Sequence, residues 1–243
     1  MILKTVFLPF DIKVSRITKR QSMKPAKSEV TRIVDRNYTK IFCIGYNKTG
    51  TTSLEKLLLD FGFSTGNQAV AEILAEDWAI HNRAERIIKY CHTADAFQDV
   101  PFMYPGLYKE LDKAFPGSKF ILTVRDSPDQ WYNSLVSFQT KLFSSDKSKF
   151  PDEIDQGNAL YRYKGWLLDF ARSFWDYPRV PLYDENEYKA RYLRHIALVQ
   201  EYFAHRPNDL ITINLSIKDD FARLCQFLNV QTNIEGFPWM NKT

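Results

Sequence analysis

Short apolar runs alternate along this chain with segments whose apolar residues recur every three or four positions. The runs at 40–46, 95–98, 119–124 and 210–214 have the length of buried strands. Between them the helical period covers 51–62, 68–79, 82–91, 104–115, 128–143, 158–175, 185–205 and 218–228. Strands alternating with helices predict an α/β fold: three layers, α/β/α, around a central, mostly parallel sheet. Right-handed crossovers follow, and ligands in such sheets bind at the carboxyl ends of the strands. Residues 1–38 show little periodicity and are expected to form an irregular N-terminal extension to a single domain over 39–243. The polar run 144–157, Pro178 and Pro181 read as loops within that domain.

Two boundaries are sharper. Ser127 stands where a helix cap belongs, with Pro128 at the first helical position, and Trp131, Leu135, Phe138 and Leu142 then form an apolar stripe. Tyr188, Tyr192, Ile196, Val199 and Phe203 form a second one.

Size and composition narrow the class. The chain has 243 residues, 44% hydrophobic and 26% charged, as expected for one globular α/β domain. No apolar run approaches the ~20 residues that span a bilayer, and the opening stretch Met1–Leu8 is short and broken by Lys4. The three cysteines, Cys43, Cys91 and Cys225, are too few and scattered for a disulfide framework, which points to a reducing, cytoplasmic setting. No His/Cys cluster has metal-ligand spacing, so no metal is expected. Residues 1–40 carry ten Lys/Arg against three Asp/Glu, a net +7 within an overall +4. This basic arm is read first as a solvated segment, with contact to an anionic surface as the alternative. Its basic residues are not interleaved with aromatics, and no nucleic-acid partner is expected.

The chemistry concentrates at Lys48-Thr49-Gly50-Thr51-Thr52, between the apolar run Ile41–Gly45 and a helix-patterned segment with Leu54, Leu57, Leu58 and Phe61 on one face. A strand turning through Gly and Thr into a helix aims backbone N–H groups at one point, where the helix dipole adds positive charge. Lys48 adds a full charge. Gly45 and Gly50 have the spacing of a nucleoside-triphosphate loop, but Thr51 follows Gly50 where lysine is usual, and the lysine stands two places before. The loop can cradle a phosphate through its N–H groups and the hydroxyls of Thr49, Thr51 and Thr52. No carboxylate is evidently arranged with Thr51 to hold magnesium, which disfavours an ordinary ATPase or GTPase.

These residues resemble the 5′-phosphosulfate loop, K-[ST]-G-T-T, of the sulfotransferases that use 3′-phosphoadenosine 5′-phosphosulfate (PAPS). Phe120–Asp126 followed by Ser134 resembles that family's 3′-phosphate element, a strand ending in Arg with a Ser on the next helix. From Lys40 to Asn241 the chain is similar to bacterial-type sulfotransferases, with Asp99-Val100-Pro101 as D-x-P, Pro116–Asp126 as PGSKFILTVRD and Phe237–Asn241 as F-P-x-x-N. The resemblance implies a P-loop-like sulfotransferase fold. It further implies PAPS as donor and PAP as product, held by Lys48, Thr49, Gly50, Thr51, Thr52, Ser53, Arg125 and Ser134. An Arg at a strand's carboxyl end suits a phosphate through paired charge-assisted hydrogen bonds, with a salt bridge to a neighbouring acid as the alternative. A one-residue insertion at Ser127 brings Ser134 into the family register, with Asn133 as the alternative contact. The chain also has Ser53 where many members have an adenine-stacking Trp.

Sulfuryl transfer to a hydroxyl requires a base, a stabilised leaving phosphate and an in-line approach. Lys48 is the candidate for the leaving oxygen. Asp99 is the candidate base, at a strand end matching the family's base position, with His92 and Asp95 as substitutes. A helix cap or cation partner is the other reading of Asp99. His195 is read as a core or surface histidine before an acceptor-pocket one, and His81 and His205 as surface residues. The acceptor, a small molecule or glycan, is expected between Phe138 and Tyr183, where Tyr161, Tyr163, Trp166, Phe170, Phe174, Trp175 and Tyr177 supply either a wall or the packing of a helical subdomain. The rival activities are a small-molecule kinase with a degenerate phosphate loop and a non-catalytic nucleotide- or glycan-binding protein.

Overall fold

The structure is a computed structural model and describes residues 31–33 and 36–238. The basic arm up to residue 30, and the last part of Phe237–Asn241, lie outside the described residues.

Four parallel strands form the central sheet: β2 (Ile41–Cys43), β3 (Ala96–Phe97), β4 (Lys119–Thr123) and β5 (Leu210–Ile213), in the spatial order β3-β2-β4-β5. Ile41 pairs with both Ala96 and Lys119, and Phe120 with Leu210. Alternate residues of these strands face opposite layers. Ile41, Cys43, Ile121, Ile211 and Ile213 join one core with Leu54, Leu57 and Leu58 of α1 (Thr51–Asp60). Phe42, Phe97, Phe120 and Leu122 join the other, with residues of the helices on the opposite face. This period-two division is why the sheet takes helices on both sides.

The helices follow the sequence periodicity with local breaks. The expected helix over 68–79 divides at Leu74 into α2 (Gln68–Ile73) and α3 (Ala75–Ala79). Next come α4 (Glu85–Tyr90), α5 (Leu107–Ala114) and α6 (Pro128–Phe143). The expected helix over 158–175 is helical only at α8 (Trp166–Phe174), and a separate helix, α7 (Glu153–Asn158), ends where the expected one begins. An Asp152–Asp155 capping box starts α7, inside the run expected to be loop, and Gly165 at φ 89° sets the start of α8. The last two are α9 (Glu185–Tyr202) and α10 (Lys218–Phe227).

The N-terminal segment also departs from expectation. Thr31–Ile33 forms β1, paired antiparallel with β6 (Val230–Thr232). Tyr38 is buried beside it, and its hydroxyl donates to Leu228 O at 3.1 Å. Unlike β2, neither three-residue strand lies in a longer apolar run, so pattern alone misses them. The α6 stripe is likewise shorter than expected. Trp131 and Leu135 are buried, Phe138 is half-buried and Leu142 is 50% exposed, because the buried face of α6 continues through Val136 and Gln139 instead.

The strand order sets the site. From β2 the chain crosses to β3 on one side, and β4 lies on the other, so a crevice opens at the carboxyl ends where the winding reverses. Lys48, Asp99 and Arg125 stand in the loops after β2, β3 and β4.

Candidate active site

The loop after β2 is held from below. Thr49 is 1% exposed; its hydroxyl donates to Tyr46 O and meets Thr123 Oγ1 at 2.6 Å, and its N–H also reaches Tyr46 O. Thr49 therefore anchors the loop to β4 and is not among the cavity-lining residues, contrary to the expectation that its hydroxyl faces an anion. Two glycines are required for separate reasons. A Cβ on Gly45 would lie 2.2 Å from Thr123 Oγ1, so a side chain there collides with β4. Gly50 sits at φ 100°, in the left-handed region.

Above that base the loop opens into a cavity of about 1080 Å³. Lys48, Gly50, Thr51, Thr52 and Ser53 line it. Helix α1 starts here without a side-chain cap and without an acid in its first turn, so none of its own residues there offsets its positive end. Lys48 takes φ 67° and lays its amine 3.7 Å from the Phe138 ring centroid. Burial, with Arg125 second, lowers the Lys48 pKa from its ordinary 10.5. A left-handed non-glycine residue on such a loop is the kind of strain that marks functional sites.

Arg125 joins the second loop to the first. Its Nε donates to Lys48 O at 2.7 Å, and its backbone N–H donates to Tyr192 OH at 3.0 Å. Among the described residues no carboxylate pairs with Arg125, and it lines the same cavity as Ser134 and Asn133. Ser134 Oγ is buried with no described partner, whereas Asn133 is exposed. Ser127 caps α6 as expected, accepting from Gln130 N at 3.0 Å. With Asp129 also in its first turn, that helix start is already partly satisfied.

The third loop supplies the acid. Asp99 sits at φ 61°, accepts from Thr51 Oγ1 at 3.0 Å through Oδ2, and from Val100 N at 2.9 Å through Oδ1. Burial raises its carboxyl above the ordinary 3.8, opposed by those hydrogen bonds and by Lys48. The Thr51–Asp99 contact overturns the expectation that no carboxylate is arranged with Thr51: residues 48 positions apart meet because β2 and β3 are neighbours.

The substitute bases lie elsewhere. Asp95 precedes β3, at the opposite end of that strand, and pairs with Arg36 and Ser64; its pKa lies below the ordinary value because the hydrogen bonds of those two outweigh burial. His92 is exposed against Phe115. His195, 3% exposed, donates Nε2–H to Ile44 O at 2.8 Å, and burial drops its pKa to about 4, so it is a neutral core residue. His81 and His205 are exposed, as expected.

Pattern reasoning missed much of the lining. Glu55, Gln68, Glu72, Gln98 and Gln139 line the cavity, as do Ser216, Phe237, Pro238 and Leu215, the last packed against Gly50. Glu55 was findable as the next turn of the loop helix; the others come from elements whose sequence carries no motif. Of the aromatics weighed as a wall, Tyr161, Trp166 and Phe170 line the cavity, joined by Phe143. Phe174 and Trp175 pack into the core, and Tyr177 bonds Glu153. Among the described residues no group of three or more His, Cys, Asp or Glu is placed to hold a metal ion, and no helix is long and apolar enough to cross a membrane.

A family model described as a sulfotransferase domain matches residues 40–243. No individual curated protein matches the chain.

Proposed function

The chain belongs to the sulfotransferase-domain family, and on that premise we propose that it transfers a sulfuryl group from PAPS to a hydroxyl or amine of a small molecule or glycan. One observation carries this reading. Three functional loops from adjacent parallel strands bring Lys48, Arg125 and Asp99 to a single cavity.

The residues fit a donor with phosphate at both ends. The uncapped α1 start with Gly50, Thr51, Thr52 and Ser53 suits the 5′ end, and Arg125 with the unpartnered Ser134 hydroxyl suits the 3′-phosphate. Thr49 contributes to this site by fixing the loop. Leu215 and Phe237 offer an apolar flank for the adenine in place of the Trp of other members. When bound, PAPS supplies the sulfuryl group as an activated phosphosulfate. Asp99 takes the acceptor O–H proton as the new O–S bond forms, and Lys48 neutralises the phosphate oxygen as the old S–O bond breaks and PAP leaves. The carboxylate keeps lone pairs for the acceptor beyond those used by Thr51 and Val100. A cytoplasmic setting suits the free cysteines, of which Cys43 and Cys91 are buried.

A second reading is favoured by one contact. Thr51 beside Asp99 is also an arrangement with which a phosphate-loop kinase holds magnesium. Thermal unfolding separates the two. Saturating PAP without metal raises Tm on the sulfotransferase reading. No shift with PAP, and a shift with ATP and magnesium, overturns it in favour of the kinase.

A further inference from the structure

We propose that the acceptor end of the cavity selects an uncharged, hydroxyl-rich molecule with an apolar face, such as a pyranoside, and discriminates against anionic acceptors. This rests on the sulfuryl-transfer reading of the same site.

The cavity lining carries both signs of charge. Lys48, Arg125 and the α1 start supply the positive, and Asp99, bonded to Thr51 at that start, has Glu55 and Glu72 near it. The three carboxyls are near enough that Asp99 pushes up both of the others, after burial as the larger cause. An anionic acceptor meets repulsion there and loses its hydration without compensation.

An acidic cluster alone would say little. The second observation is Gln98, 7% exposed and lining the cavity, whose Oε1 is buried without a hydrogen-bond partner. Its Nε2 points at Gln68 Oε1, at 3.4 Å. Gln68 Nε2 in turn donates to Val100 O at 2.9 Å and to Glu72 Oε1 at 3.3 Å. Three of the four N–H bonds of these two amides are thus engaged by the protein, while the Gln98 Oε1 acceptor is left without a partner. A ligand rich in O–H donors satisfies it.

Charge balance favours a neutral ligand over a cation. Glu72, 6% exposed, is paired with Arg162, and Tyr161 OH donates to it at 3.4 Å. An ammonium at Glu72 would confront that guanidinium. The lining beside Glu72 is apolar: Trp166 stacks on Phe170 with centroids 5.4 Å apart, and Tyr161 packs against Trp166 at 5.1 Å. Flat apolar side chains next to hydrogen-bond acceptors match a sugar ring, which presents C–H groups on one face and hydroxyls at its edge.

The test titrates three matched probes into the protein saturated with PAP: p-nitrophenyl β-glucopyranoside, the β-glucuronide and the β-glucosaminide. The glucopyranoside is expected to bind at least about ten-fold tighter than the glucuronide, and tighter than the protonated glucosaminide. Gln98→Leu is expected to weaken the glucopyranoside about five-fold, the loss of one neutral hydrogen bond, with PAP affinity and the circular dichroism spectrum unchanged. Equal or tighter binding of the glucuronide or glucosaminide, or an unchanged glucopyranoside affinity in Gln98→Leu, overturns the proposal. If PAP binds and no neutral glycoside does, this proposal alone falls. If PAP itself does not bind, the donor reading falls and takes this proposal with it.

Discussion

The Thr51 hydroxyl donates to Asp99 Oδ2 at 3.0 Å, tying the first turn of α1 to the loop after β3. The loops after β2 and β3 therefore share a hydrogen bond across the cavity. If Asp99 is the base, Asp99→Asn keeps the shape and the hydrogen bond but cannot take a proton. Turnover is expected to fall about 10²–10⁴-fold, with the PAP-induced rise in Tm retained. Undiminished turnover would place the base elsewhere.

Arg125 and Lys48 are expected to separate binding from chemistry. Arg125→Ala removes charged donors from the position proposed for the 3′-phosphate, together with the Nε bond to Lys48 O. It should weaken PAP about 10–100-fold, the range of a lost charged hydrogen bond. Lys48→Ala should lower kcat by about 10²–10³ and leave the unfolding temperature near wild type. Isothermal titration with PAP beside steady-state kinetics distinguishes the two, and a Lys48→Ala enzyme with normal kcat would contradict its role.

The pH profile follows from burial. Asp99 must be deprotonated to act, and burial raises its carboxyl above 3.8, so kcat/KM should climb with pH through a value higher than an ordinary aspartate gives. Lys48 must be protonated, and burial lowers its amine below 10.5, so activity should fall again as pH rises through that lower value. The bell is expected to be narrower than unperturbed groups would produce, and Asp99→Asn should abolish its acid limb. A rate flat on the acid side would contradict the assignment.

Gly45 is a stability prediction independent of chemistry. A Cβ there would meet Thr123 Oγ1 at 2.2 Å and Thr123 O at 2.5 Å, both on the neighbouring strand. Gly45→Ala should cost at least about 2 kcal/mol through overpacking, read as a shift in the denaturant midpoint. An unchanged midpoint would mean that β2 and β4 move apart without penalty.

The sequence alone determined the alternation of strands and helices, the Ser127 cap, and which loops carry Lys48, Arg125 and Asp99. Each is local: strand length, period and capping are written within a few residues of one another. β1, β6 and the six-residue Asp152 capping-box helix escaped because each is too short for its period to repeat clearly. Tertiary structure alone decided which neighbours meet. Thr49 turned inward because Thr123 and Tyr46 O lie beneath it. Thr51 found a carboxylate because β3 lies beside β2. Glu55, Glu72 and Gln98 became one wall because separate elements converge on the crevice at the strand ends. Side-chain contacts between distant segments depend on strand order and crossover, which no local pattern encodes.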